Sequence, residues 1–87
     1  MTAENVELLV LTSSRAILDI TFVCTAMCTV LDQQIEIVGE AEHQDGASAE
    51  YDQVKESIQA VRQALIAVKE QTARSLRDLR NLAEVSA

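Results

Sequence analysis

The sequence predicts an all-α fold, an antiparallel hairpin of two long helices that associates into a four-helix bundle. Three observations point there. The 87 residues include no Pro and two Gly, and both glycines, Gly39 and Gly46, lie near the middle, so the helix-interrupting residues are confined to one place. On either side of it, apolar residues recur at steps of three and four, the spacing of a helix face and not of a strand. A chain this short builds a core that leaves a lone monomer marginal, which favours association.

One domain, 1–87, follows, with a helix over about 3–42, a turn over about 43–48 and a helix over about 49–84. Ser48 is placed to cap the second helix, and Glu50 and Asp52 put negative charge on its first turn, where the helix dipole favours it. Two places weaken the first helix. Thr12-Ser13-Ser14 leaves open a break near Ser13, and Gly39 leaves open an earlier end.

The second helix shows one narrow seam through Tyr51, Val54, Ile58, Val61, Leu65, Val68, Thr72, Ser75, Leu79 and Leu82. Its steps alternate three and four, as in a helix that faces one partner. Lys55, Glu56, Arg62, Glu70, Arg74, Arg77 and Asp78 fall on the other side and read as a solvated face. The first helix has a matching seam through Val6, Val10, Ile17, Ile20, Cys24, Met27, Leu31 and Val38, widened by Val23, Val30 and Ile37. It also carries Leu8, Leu11, Leu18 and Phe22 on roughly the opposite side. A helix apolar on two faces must touch more than one neighbour. Leaving those four side chains wet forfeits about 1.5–3 kcal/mol each, so they are the predicted partner-binding residues. The expected partner is a second copy of the chain or another helical protein.

Charge favours pairing the two helices. Residues 1–42 hold seven acids and one base, whereas six acids and six bases follow from Glu50 onward. A turn near Asp45 sets Glu36 beside Lys55, Glu7 beside Arg80 and Asp19 beside Arg74, pairs that select register more than they stabilise.

Several function classes fall away. The length excludes a dinucleotide-binding α/β fold, and the scarcity of turn residues excludes a sandwich or barrel. A net charge of −7 argues against nucleic acid or an anionic membrane as partner. The first fourteen residues contain no base, unlike a secretory signal. The most apolar run, Ala16 to Leu31, holds Asp19 and falls short of the ~20 residues of a membrane span. The expectation is a cytoplasmic protein, with export by a signal-peptide-independent route left open.

Chemistry-bearing residues are few. Cys24 and Cys28 lie one turn apart, which suits half of a thiolate site completed across a two-fold axis, but their seam position favours plain packing. Glu40 and His43 have the Glu-x-x-His spacing of di-iron bundles, yet they lie beside the turn and not in mid-helix. No nucleophile has a base at helical spacing, and no phosphate loop is present. The expectation is a non-enzymatic module with no cofactor and no metal ligands, a metal-binding bundle being an alternative.

The stretch Gln44-Asp45-Gly46-Ala47-Ser48-Ala49-Glu50-Tyr51, with two near-equal helices around it, resembles the Trp-x-Gly helical hairpins exported by type VII secretion systems. That resemblance implies a small acidic hairpin that dimerises into a four-helix bundle and is itself secreted or secretion-associated. Gln44 stands where the family has its Trp. The family's export signal, a Tyr with an acid four residues on, has no counterpart, because position 55 is Lys. The layout is equally similar to the hairpin chaperones of type III secretion, which implies shielding of a partner. The function read from the sequence is therefore an adaptor, chaperone-like or assembly subunit.

Overall fold

The computed structural model describes residues 2–86, which form two helices, α1 (Ala3–Asp45) and α2 (Ala49–Ser86), packed antiparallel along their lengths. The rod measures 64 × 15 × 15 Å, and α1 alone accounts for its length at ~1.5 Å per residue. The hairpin predicted from the sequence is present. One hairpin is described here, so the expected four-helix bundle is a matter of association.

Local chemistry sets the boundaries. The Thr2 hydroxyl accepts the Asn5 N–H at 3.3 Å, and Glu4 lies in the first turn of α1. Helix α1 runs through Ser13 and Gly39 and ends three residues later than expected. Thr12 donates its hydroxyl back to the Leu8 carbonyl at 3.0 Å, so it satisfies itself within the helix instead of competing with it. Gly39 is tolerated because nothing after it stops the helix until Gly46, whose φ is +91°. The Gly46 N–H closes the last turn on the Glu42 carbonyl at 2.8 Å. The turn shrinks to Gly46-Ala47-Ser48, and Ser48 Oγ accepts the Tyr51 N–H at 3.4 Å. Tyr51 also donates its hydroxyl to the Asp45 carboxylate, joining the end of α1 to the start of α2.

Written as heptads, the seam uses positions a and d of each helix. On α1, position d holds Val10, Ile17, Cys24, Leu31 and Val38, and position a holds Ser14, Thr21, Cys28 and Ile35; all are buried or half-buried. On α2, position d holds Tyr51, Ile58, Leu65, Thr72 and Leu79, and position a holds Lys55, Arg62, Lys69, Leu76 and Ala83, again buried or half-buried. Six residues expected in the seam lie exposed beside it, each at position g. Ile20, Met27, Val54, Val61, Val68 and Leu82 are 42–53% exposed. Ile17, Cys24, Leu31, Ile58, Leu65 and Leu79 are in the seam as expected.

The α2 seam column is therefore made of Lys55, Arg62 and Lys69 in place of Val54, Val61 and Val68. Long cationic side chains can cover a seam with their aliphatic stems while their heads reach water or an acid. Lys55 Nζ lies 2.9 Å from Glu42 and 3.6 Å from Asp52, and Arg62 Nε lies 2.7 Å from Asp32. Lys55 thus pairs with Glu42 and not with Glu36. The expected pairs Glu7–Arg80 and Asp19–Arg74 do not form among the described residues. At mid-rod, Thr21 donates to Thr72 across the helices at 2.8 Å, and Thr72 donates to the Lys69 carbonyl at 2.7 Å.

Gly39 has open space where a Cβ would go, so Gly39→Ala should stabilise the hairpin by about 0.5–1 kcal/mol. Gly46→Ala should instead destabilise by about 1 kcal/mol or more, because an L side chain is strained at its positive φ. Urea unfolding of the two variants should move in opposite directions. Tyr51, the single tyrosine, is held above its ordinary pKa of 10.0, chiefly by its hydrogen bond to Asp45. A raised value in the folded state means that this tie is complete below pH 10.0 and is lost as pH climbs through the raised value. Tyrosinate absorbance should therefore titrate later in the folded protein than in urea, and Asp45→Ala should bring the two curves together.

Candidate interaction surface

The seam hides little. Among the described residues only Cys24 (5%), Cys28, Val38 and Thr72 (8% each) are buried, and no side chain is fully enclosed. The chain exposes 6547 Å², about 1,500 Å² more than the roughly 5,000 Å² expected of a compact monomer of this mass. Its radius of gyration is 19.5 Å, against roughly 12 Å for a compact domain of this length.

Most of the exposed apolar surface lies on one flank. On α1 it comprises Ile20 and Met27 at position g and Leu9, Val23, Val30 and Ile37 at position c. On α2 it comprises Val54, Val61, Val68 and Leu82 at position g. These ten residues are 42–62% exposed. The two helices meet in an open groove lined by Val23, Met27, Val30 and Leu31 of α1 and Val61 and Leu65 of α2, bordered by Phe22 and Ala26, with no polar lining surface. Positions g and c also alternate in steps of three and four, so each helix carries a second seam turned away from the first.

The flank is charge-free along its middle. Between Gln53 and Gln71, positions c, f and g of α2 hold only Val, Ala, Ser and Gln. The charges of that stretch stand mostly at positions a and b, where Lys55 and Arg62 engage acids of α1. Contact with Glu42 holds the Lys55 ammonium above its usual range, and contact with Asp32 does the same for the Arg62 guanidinium. Such pairing keeps cations off the apolar flank. Depletion of charge at the centre of a patch is a compositional mark of a protein interface.

Leu8, Leu11, Leu18 and Phe22, the residues predicted to bind a partner, are 54–77% exposed. Leu8, Leu11 and Leu18, at positions b and e, lie on the opposite flank toward the open end, whereas Phe22, at position b near mid-rod, borders the apolar groove beside Val23 and Ala26. Leu11 and Leu18 border a groove completed by Val10, Ser14, Leu76 and Arg80. That patch is smaller and includes charge. Sequence periodicity assigns the α2 valines of the larger flank to the seam. Their companions Ser57, Ala64 and Gln71 mark a second three-four pattern that distinguishes the two.

Other chemistry is sparse on this frame. Cys24 and Cys28 are free thiols packed in the seam. Glu40 and His43 border an open concavity near the turn with Glu36 and Gln44. Among the described residues no three His, Cys, Asp or Glu side chains group as metal ligands. Helix α1 contains an 18-residue window of mean hydropathy 1.6 and, by length and composition, is apolar enough to cross a membrane. The apolar run is thus longer in effect than Ala16 to Leu31 suggested. Helix α2, with six acids and six bases from Glu50 onward, could not follow it into lipid. Entry of α1 alone would part the Thr21–Thr72 bond and open the seam.

The chain matches no known family model, no curated protein and no solved structure.

Proposed function

We propose that this chain is a non-enzymatic association subunit, an adaptor, chaperone-like or assembly component, that completes its core by docking the charge-free flank onto another helical protein. A four-helix bundle of two hairpins is the simplest such assembly. One observation carries the reading: ten half-exposed apolar residues form a continuous second seam on both helices of a rod that has almost no core of its own. Covering such side chains gains about 25 cal/mol per Å² of apolar area, which is the stabilisation the thin seam lacks. A water-filled groove or a catalytic cleft would place polar groups there, and none lines it.

The test is the absolute mass in solution across a dilution series. The wild-type chain should scatter as at least twice its 9.5 kDa. Val30, 62% exposed in the hairpin, can become Glu without touching the a/d seam. Val30→Glu should keep its helicity and weaken assembly roughly a hundredfold, since burying an unpaired carboxylate costs on the order of 3 kcal/mol or more. Leu11→Glu with Leu18→Glu, on the other flank, should leave the mass unchanged, as should Arg77→Glu. Loss of assembly in the Leu11/Leu18 variant alone would move the interface to the opposite patch. A wild-type chain that stays monomeric at every concentration would overturn self-association.

A further inference from the structure

We infer that the flank is covered by a second copy of this chain, stacked face to face about a two-fold axis parallel to the rod. Both turns then lie at the same end, and α1 of each hairpin rests on α2 of the other. This arrangement rests on the reading above that the flank is an association surface. Such a stack needs about 800 Å² from each partner, which the excess exposed area of the rod can supply.

The hairpin's own register argues for this stacking. The contacts Thr21–Thr72 and Asp32–Arg62 fix which residues of α1 and α2 lie at the same height. A two-fold axis along the rod preserves those heights, so α1 of one copy meets α2 of the other in the same register. Position c then sets Val30 over Ala64 and Ile37 over Ser57, and position g sets Ile20 over Ser75. In these three layers Ser57, Ala64 and Ser75 leave room for a bulky branched side chain, while Met27 over Val68 brings two bulky apolar groups together at the centre. The alternative stack, with turns at opposite ends, would lay α1 on α1 and α2 on α2. At position c that sets the bulky α1 column against itself and the small α2 column against itself, and it sets the net −6 of residues 1–42 against itself.

Charge on the outer edge agrees. Asp19 and Arg74 stand at position f of their helices, at the same height. Asp19 has no ion pair among the described residues, and Arg74 bonds to Gln71 at 2.9 Å. Within one hairpin the two f columns are on outward edges and cannot meet. Across the proposed axis they adjoin, so Asp19 of each copy faces Arg74 of the other, twice per dimer. The acids near the turn come side by side in this stack, but beyond the ~8 Å screening length at physiological salt their repulsion is small.

Mixing charge-reversed chains tests the arrangement. Asp19→Arg alone and Arg74→Asp alone should each weaken the homodimer roughly three- to tenfold, the range expected for exposed pairs turned repulsive. Mixed in equal amounts, the two variants should recover wild-type assembly as a heterodimer, because each reversed residue meets its complement in the other chain. An independent distance measurement uses spin labels on Ala47→Cys in a Cys24→Ala/Cys28→Ala background whose helicity is intact. The turn-to-turn distance should be about 20 Å, two helix diameters. A dimer whose labels lie a rod length of 64 Å apart, or variants that do not recover on mixing, would overturn this stacking and leave the association surface standing. A monomeric wild-type chain would overturn both.

Discussion

A rod two helices wide has a seam and no interior, and most features of this chain follow from that constraint. With a 15 Å cross-section, every side chain that leans on the facing helix still has a side turned to water. Hence the most protected residues are small ones, Cys24, Cys28, Val38 and Thr72, while larger Leu and Ile side chains are covered only in part. Area removed from water is the main source of folding free energy. A chain that can remove so little of it internally must either be weakly folded or find more surface elsewhere. The second seam at positions c and g is where more surface is to be found.

Within the hairpin, specificity comes from contacts that cannot slide. The threonine pair at mid-rod and the two ion pairs nearer the turn fix one register, since shifting either helix by a turn would separate all three. The stems of Lys55, Arg62 and Lys69 complete the α2 column. This division leaves the valines of α2 for a different neighbour, so the same helix serves two partners without one face serving both. The threonines contribute in another way. Thr12, Thr25 and Thr29 each donate to the carbonyl four residues earlier, so their hydroxyls are satisfied within α1. Their methyl groups can then face a neighbour at little polar cost.

The sequence made the two helices, the single turn and the surplus of apolar surface legible, because those rest on breakers and periodicity. It did not separate position a from position g on α2. Ile58, Leu65 and Leu79 belong to either three-four pattern, and Val54, Val61 and Val68 are the more apolar choice to complete it. The structure takes Lys55, Arg62 and Lys69 instead, which is visible only when Glu42 and Asp32 are seen within reach of two of the cations. On α1 the same rotation exchanges Ile20 and Met27 for Thr21 and Cys28. Helix α1 extends past the expected end for a different reason. His43 to Asp45 contains no breaker, and the Tyr51–Asp45 bond that secures the last turn joins residues on opposite sides of the turn.

The burial of Cys24 and Cys28 gives the molecule a built-in reporter of its own breathing. Both thiols lie near the midpoint of the rod and are shielded by α2 alone. A thiol reagent reaches them only when the helices separate at the centre, whereas fraying at the open end or at Gly46 leaves them covered. Their alkylation rate under native conditions therefore measures central unzipping directly. One helical turn apart on a regular helix, the two sulfurs are also poorly placed to join each other. Air therefore does not readily lock the rod through this pair, and the reporter stays chemically available.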